Sequence, residues 1–168
     1  MIDILNPSTP EQLDQVRHLM RAFVDWHRKL HTEDIHLIDG YFDAKAFEEE
    51  LASLPGKYAP PGGRLLLAVG DGQPAGCAAL REIDTQVCEM KRMFVYPRFH
   101  GKGIGRALGE ALIREARTIG YVTMRLDTSF RQDQAQTLYR SLGFKRIKPY
   151  YDLPEELKNW LVFMELRL

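Results

Sequence analysis

At 168 residues the chain is about one domain long, and with 45% apolar and 27% charged residues it has an ordinary globular composition. Lys+Arg and Asp+Glu are equal at 23 each, so nothing in the charge points to nucleic acid, whose binders carry a basic excess. The longest apolar runs, Leu65 to Val69 and Ala75 to Leu80, fall far short of the ~20 residues of a membrane helix. The first residues lack the basic start and apolar stretch of a secretory leader. Cys77 and Cys88 form neither a C-x-x-C pair nor a cluster with histidine, which argues against a disulfide framework or a metal site. The expectation is a single cytoplasmic domain over residues 1–168, with no nucleic-acid or membrane partner.

Ile2 to Leu5 is short and apolar, suited to a first strand. Thr9-Pro10-Glu11-Gln12 reads as a helix start, with Thr9 as N-cap, Pro10 at the first helical position and Gln12 completing a capping box. Leu13, Val16, Met20, Phe23, Val24, His27 and Leu30 follow at helical spacing and predict one buried stripe. A second helix fits Ala44 to Leu54, and the Pro- and Gly-rich run from Pro55 to Gly63 is a loop. Arg64 to Val69, Pro74 to Arg81 and Val87 to Tyr96 read as an antiparallel run, the first two joined by an Asp71-Gly72 hairpin. Helical spacing returns from Ile104 to Ile119 and again from Ala135 to Leu142, each closed by a glycine, Gly120 and Gly143. Tyr121 to Leu126, Phe144 to Ile147 and Trp160 to Leu168 supply the remaining strands. The pattern predicts a mixed α+β fold, a mostly antiparallel sheet of about six to seven strands flanked by about four helices. The last strand is expected to lie at an edge, where it leaves a homodimer open.

The chemistry is concentrated where a strand ends at Pro97, a glycine-rich loop follows and a helix opens out of it. The first turn of a helix leaves about four N–H groups unpaired and carries roughly half a positive charge, which suits a phosphate. Gly101, Gly103 and Gly105 let a ligand approach the backbone, and Arg98, His100, Lys102 and Arg106 add cationic groups nearby. Together they predict a diphosphate cradle. The loop is not a nucleoside-triphosphate P-loop, since Gly103 stands where a hydroxyl is needed, and it does not complete G-x-G-x-x-G.

Arg98, Gly101 and Gly103 do satisfy R-x-x-G-x-G, and Ala135-Gln136-Thr137-Leu138-Tyr139-Arg140-Ser141-Leu142-Gly143-Phe144 fits A-x-x-L-Y-x-x-x-G-F. With this order and separation the chain resembles the GNAT superfamily of N-acetyltransferases, strongly over Val87 to Phe144 and more loosely over its N-terminal third. The resemblance implies a GNAT-like splayed sheet in which a bulged strand parts from its parallel neighbour and pairs with the pantetheine arm of coenzyme A. It implies cofactor contacts from Met93, Phe94 and Val95, and a pyrophosphate wrapped by Arg98, His100, Gly101, Lys102, Gly103, Ile104, Gly105 and Arg106. His100 stands where relatives often have arginine, so its neutral ring offers one donor instead of a fork. Many relatives also carry an asparagine near the start of the helix bearing the tyrosine. This chain reads Arg131-Gln132-Asp133-Gln134 there, with Gln132 or Gln134 as substitutes.

The resemblance further implies that Tyr139 protonates the departing thiolate and that Glu89 takes the proton of the amine, with Asp127 as an alternative base. The activity it implies is transfer of an acetyl group from acetyl-CoA to a primary amine of a small molecule, by direct attack in a ternary complex and without a metal. A protein acetyltransferase acting on lysine or an N-terminal amine and a non-catalytic acyl-CoA sensor are the alternatives. Backbone N–H at Phe94 or Val95 is expected to stabilise the oxyanion. His27 and His31 stand one helical turn apart but lack the His-Glu-x-x-His arrangement of a zinc site. His31, Trp26, Tyr41, Phe42, Tyr150 and Tyr151 are candidates for the acceptor pocket.

Overall fold

The computed structural model describes residues 1–168. Its strands are β1 (Ile2–Leu5), β2 (Arg64–Gly70), β3 (Gln73–Glu82), β4 (Val87–Val95), β5 (Thr123–Ser129), β6 (Lys145–Ile147) and β7 (Leu161–Arg167). They form one sheet in the order β1-β2-β3-β4-β5-β7-β6. Every neighbouring pair is antiparallel except β4 with β5. The helices are α1 (Pro10–Leu30), α2 (Ile35–Tyr41), α3 (Ala44–Ala52), α4 (Ile104–Ile119), α5 (Asp133–Ser141) and α6 (Glu155–Trp160). Two of these six go beyond the sequence expectation: α2 and α6 are seven and six residues long, too short for helical spacing to declare itself. The terminal strand also differs from expectation, because β7 lies between β5 and β6 and the edges are β1 and β6.

Alternation along the strands sends side chains to two cores. Cys88 and Met90 face α4 and α5 and pack with Leu108, Leu112 and Tyr139. Cys77, Ala79 and Phe94 face the N-terminal helices and pack with Leu19, Met20 and Trp160. The start of α1 matches its sequence: Gln12 N–H donates to Thr9 Oγ1 at 3.1 Å, and Gln12 Oε1 accepts from Thr9 N–H at 3.3 Å. Leu30 departs from the predicted stripe and is 57% exposed, since α1 ends there and runs out over a cleft. The hairpin after β2 turns on Asp71 and Gly72 with φ of 51° and 75°, the left-handed pair that a tight antiparallel turn requires.

The position of the site follows from two irregularities in β4. Its parallel pairing with β5 covers only Val87↔Thr123, Cys88↔Met124 and Glu89↔Arg125, so from Met90 onward that edge of β4 has no strand beside it. On the other side the register with β3 slips between Cys77↔Phe94 and Ala79↔Lys91, a bulge at Arg92, whose φ is 59°. A non-glycine residue in this conformation costs roughly 1–2 kcal/mol, and Arg92 is held there from outside. Its guanidinium makes a two-point pair with Glu50 at 2.8 and 3.0 Å and lies over the rings of Phe42 and Phe47. Gly76 completes the bulge, because a Cβ there would stand 2.8 Å from the Phe94 carbonyl oxygen.

Candidate active site

The unpaired edge of β4 forms one wall of a cleft of about 680 Å³, with Met93, Phe94 and Val95 along it and Gly101, Gly103, Ile104 and Gly105 at one end. Tyr96 N–H donates to Ala75 O at 2.9 Å. By the alternation of an antiparallel ladder, Phe94 pairs inward with Cys77 while Val95 turns its amide and carbonyl to the open side. At the loop, Gly101 and Gly103 have φ of 76° and 79°, which glycine adopts without steric penalty. Gly103 is the N-cap of α4 and supplies no capping side chain. The first backbone bond of the helix is Ala107 N–H to Gly103 O. The amides from Gly101 to Arg106 therefore have no protein acceptor, and the positive end of a sixteen-residue helix lies behind them. This row of free donors fits a diphosphate.

The predicted cationic side chains do not share that position. Arg98 lies over the rings of Tyr96 and Phe99 at 4.5 and 5.0 Å. Lys102 stands 3.9 Å from Asp71, and Arg106 bonds Glu110 at 3.1 Å and Ser141 at 2.6 Å. None of the three lines the cleft; each exposed side chain finds a nearer ring, carboxylate or hydroxyl. His100 does line it, but its Nε2–H donates to Val95 O at 2.9 Å. That bond spends Nε2–H on β4, so His100 ties the loop to the strand. The cradle is made of backbone. Gln132 and Gln134 line the cleft as the sequence allowed; Gln132 accepts from Thr128 and keeps its NH₂ group free of protein partners. Arg131, which sequence reasoning did not single out, also lines the cleft and pairs with Glu33 and Asp34.

Where β4 and β5 part, the cleft leads to a narrow chamber of about 50 Å³ that Met93 and Gln132 share with it. Tyr139 on α5 reaches the chamber from one core; its hydroxyl has no hydrogen bond to the protein, and burial pushes its pKa up, keeping it protonated. Lys91, Asp127, Ser129 and His27 line the chamber from other elements. Asp127 accepts from the hydroxyls of Tyr41 at 2.6 Å and Tyr151 at 2.5 Å. Lys91 has one long bond, 3.4 Å to Tyr41 Oη, and burial lowers its pKa against the opposing pull of Asp127 and Glu89. Ser129 Oγ is buried without any partner. Tyr41 and Phe42 line the chamber and Trp26 and His31 the cleft, whereas Tyr150 and Tyr151 line neither.

Glu89 is placed differently from its expected role. It is 1% exposed and lines neither cavity. Its oxygens accept from Arg81 Nε at 2.7 Å and the Tyr150 hydroxyl at 2.5 Å. Burial opposes its charge, but Lys91, Tyr150 and Arg81 outweigh that and hold the carboxyl below its ordinary range, so Glu89 is ionised, with its oxygens already accepting from Arg81 and Tyr150. The cysteines are buried free thiols whose pKa burial pushes up to about 12; neither is an available nucleophile. No cluster of metal-binding side chains is present, and no helix is long and apolar enough to cross a membrane.

A splayed parallel pair, a bulged strand and a helix opening on free amides shape a cleft that suits an anionic ligand. The Acetyltransferase (GNAT) family profile matches residues 16–144, and the chain belongs to that family of N-acetyltransferases. It is similar to an uncharacterised N-acetyltransferase of Dictyostelium discoideum, 29% identical over 94% of this chain and 95% of the relative. It is 38% identical to the N-acetylaspartate synthetase of Danio rerio over 78% of this chain but only 48% of that protein. Among solved structures, the PaiA N-acetyltransferase of Thermoplasma acidophilum, in complex with coenzyme A, shares the fold at a TM-score of 0.72 and 18% identity, covering 100% of this chain and 99% of that one.

Proposed function

We propose that the protein transfers the acetyl group of acetyl-CoA to a primary amine of a small molecule, by direct attack in a ternary complex. The observation that carries this reading is the row of free amides from Gly101 to Arg106 at the end of a cleft walled by unpaired β4. The coenzyme A bound in the Thermoplasma structure, on the same fold, supports the donor. When bound, acetyl-CoA supplies an acyl carbon activated as a thioester.

The chain's own residues do the rest. Gly101, Gly103, Ile104 and Gly105 hold the diphosphate by main-chain N–H, and Arg98, Lys102 and Arg106 add positive potential from farther off. Met93, Phe94 and Val95 line the pantetheine path. The outward amide of Val95, and not that of Phe94, is the oxyanion donor in this assignment. Tyr139, protonated and without a protein partner, gives its proton to the leaving sulfur. Glu89 is assigned a positioning role, fixing Arg81 and Tyr150 behind the chamber. The narrow chamber favours a compact acceptor over an extended peptide, and the Danio relative, named for N-acetylaspartate, supports a small amine.

The test is thiol release from acetyl-CoA across a panel of amino acids, polyamines, aminoglycosides and peptides. Release with one or more small amines is expected. Release with peptides alone would favour a protein acetyltransferase, and coenzyme A binding with no release on any amine would favour a sensor.

A further inference from the structure

Acetyl transfer needs a neutral amine, and near neutral pH the acceptor's ammonium must first give up a proton. The carboxylates near the chamber are engaged: Glu89 by Arg81 and Tyr150, Asp127 by Tyr41 and Tyr151. Lys91 donates to Tyr41 and stands 4.0 Å from Glu89, and the ring of His27 remains. It lines the chamber, and its only side-chain hydrogen bond is Nδ1 to Nδ1 of His31 at 2.9 Å, which leaves Nε2 without a protein partner. His31, one turn on and at the C-cap of α1, lines the cleft. The two imidazoles join the two cavities through one hydrogen bond.

The ring of His27 is clamped in that geometry. It stacks on Trp160 at 5.6 Å, and Trp160 Nε1–H donates to Asp34 at 3.1 Å. Asp34 in turn pairs with Arg131. A single Nδ1···Nδ1 bond holds one proton, so one ring donates and the other accepts.

We infer that His27 and His31 relay the acceptor's proton from the chamber to the cleft. This rests on the acetyl-transfer reading above. In the relay, the N–H bond of the acceptor ammonium breaks, its electron pair stays on nitrogen, and the proton binds His27 Nε2. The Nδ1 proton of His27 passes to His31 Nδ1. His31 then loses its Nε2 proton to water in the cleft, and re-forming the starting tautomers resets the pair. No oxidant, metal or further reactant enters. Burial pushes the pKa of His27 down to about 4, so the ring is neutral near pH 7 and its Nε2 lone pair is free. The charged and titratable groups around the pair are Lys91, Arg92, Asp127, Tyr41 and Tyr139 in the chamber, His100, Arg131 and Asp133 in the cleft, and Asp34 beside the rings.

The experiment combines kcat and kcat/KM against pH with ring-nitrogen NMR of the ligand-free protein. His31→Gln is the principal variant because His31 is only partly buried; His27→Gln is interpreted only if its melting temperature holds. The relay predicts that His31→Gln lowers kcat about tenfold or more and alters the acid limb of the profile. Coenzyme A affinity is measured in parallel and falls less than kcat, and added imidazole restores part of the rate to His31→Ala. His27→Gln lowers kcat about 10²-fold, and the double variant is no worse. In the NMR arm, the His27 ring nitrogens shift when His31 is replaced. Two rings titrating independently, or an active wild type whose His31→Gln variant keeps the rate and pH profile, would overturn the relay alone. A wild type inert toward every amine would overturn the transferase reading beneath it.

Discussion

The cleft and the chamber adjoin but are built in opposite ways. The loop end of the cleft is local: Gly101 to Arg106 are consecutive, and their donors are main-chain amides that need only left-handed glycines and a helix start. The chamber is assembled from α1, α2, α5, α6, β4, β5 and β7, and its hydrogen bonds span 86 residues from Tyr41 to Asp127 and 50 from Tyr41 to Lys91. A local backbone device can serve any ligand carrying a diphosphate. In the proposed function, the non-local chamber is where one acceptor is told from another. The two regions should therefore fail separately under mutation.

The largest effect is expected at the strut between α3 and the bulge. Glu50→Ala would leave the buried Arg92 guanidinium without its partner, a loss of about 3–5 kcal/mol, measured by denaturant unfolding. Arg92 and Lys57 outweigh burial and hold the Glu50 carboxyl down to about 2. A folded-state pKa below the unfolded value, ~4.3, contributes stability that is complete above about pH 5 and disappears as pH falls toward 2. Glu50→Gln should flatten that acid limb.

Next in size is Tyr139→Phe, expected to lower kcat about 10²-fold while calorimetry finds coenzyme A affinity intact. Gly103→Val should do the reverse, raising the Kd for coenzyme A about tenfold or more, since a β-branched residue at φ 79° carries strain of roughly 1–2 kcal/mol. A Tyr139 variant that loses coenzyme A, or a Gly103 variant that binds normally, would erase the distinction between the regions. The smallest effect is far from both: Thr9→Ala removes the capping box of α1 and should cost about 1 kcal/mol, read as a lowered melting temperature with kcat unchanged.

This division also explains what the sequence made legible. The cap at Thr9, the Asp71-Gly72 turn and the left-handed loop glycines are signals written within a few residues, and the structure shows each where the sequence puts it. The resemblance gives Glu89 a proton-accepting task, but its environment is set by Tyr150, 61 residues away, and by Arg81 on the next strand. Arg98, Lys102 and Arg106 share the loop's sequence but not its direction, because long exposed side chains settle on whatever ring or carboxylate lies nearest. Arg131 and Ser129 come to the site through the end of β5 and carry no motif. The His27–His31 spacing was visible, but that its Nδ1 bond joins two cavities was not.

The central claim, that main-chain donors at the start of α4 hold the diphosphate, is tested most directly by following amide ¹⁵N–¹H resonances as coenzyme A is added. The account predicts saturable shifts largest at Gly101, Gly103, Ile104 and Gly105 that are lost with pantetheine, which lacks the diphosphate. Binding that leaves those four amides unmoved would contradict it.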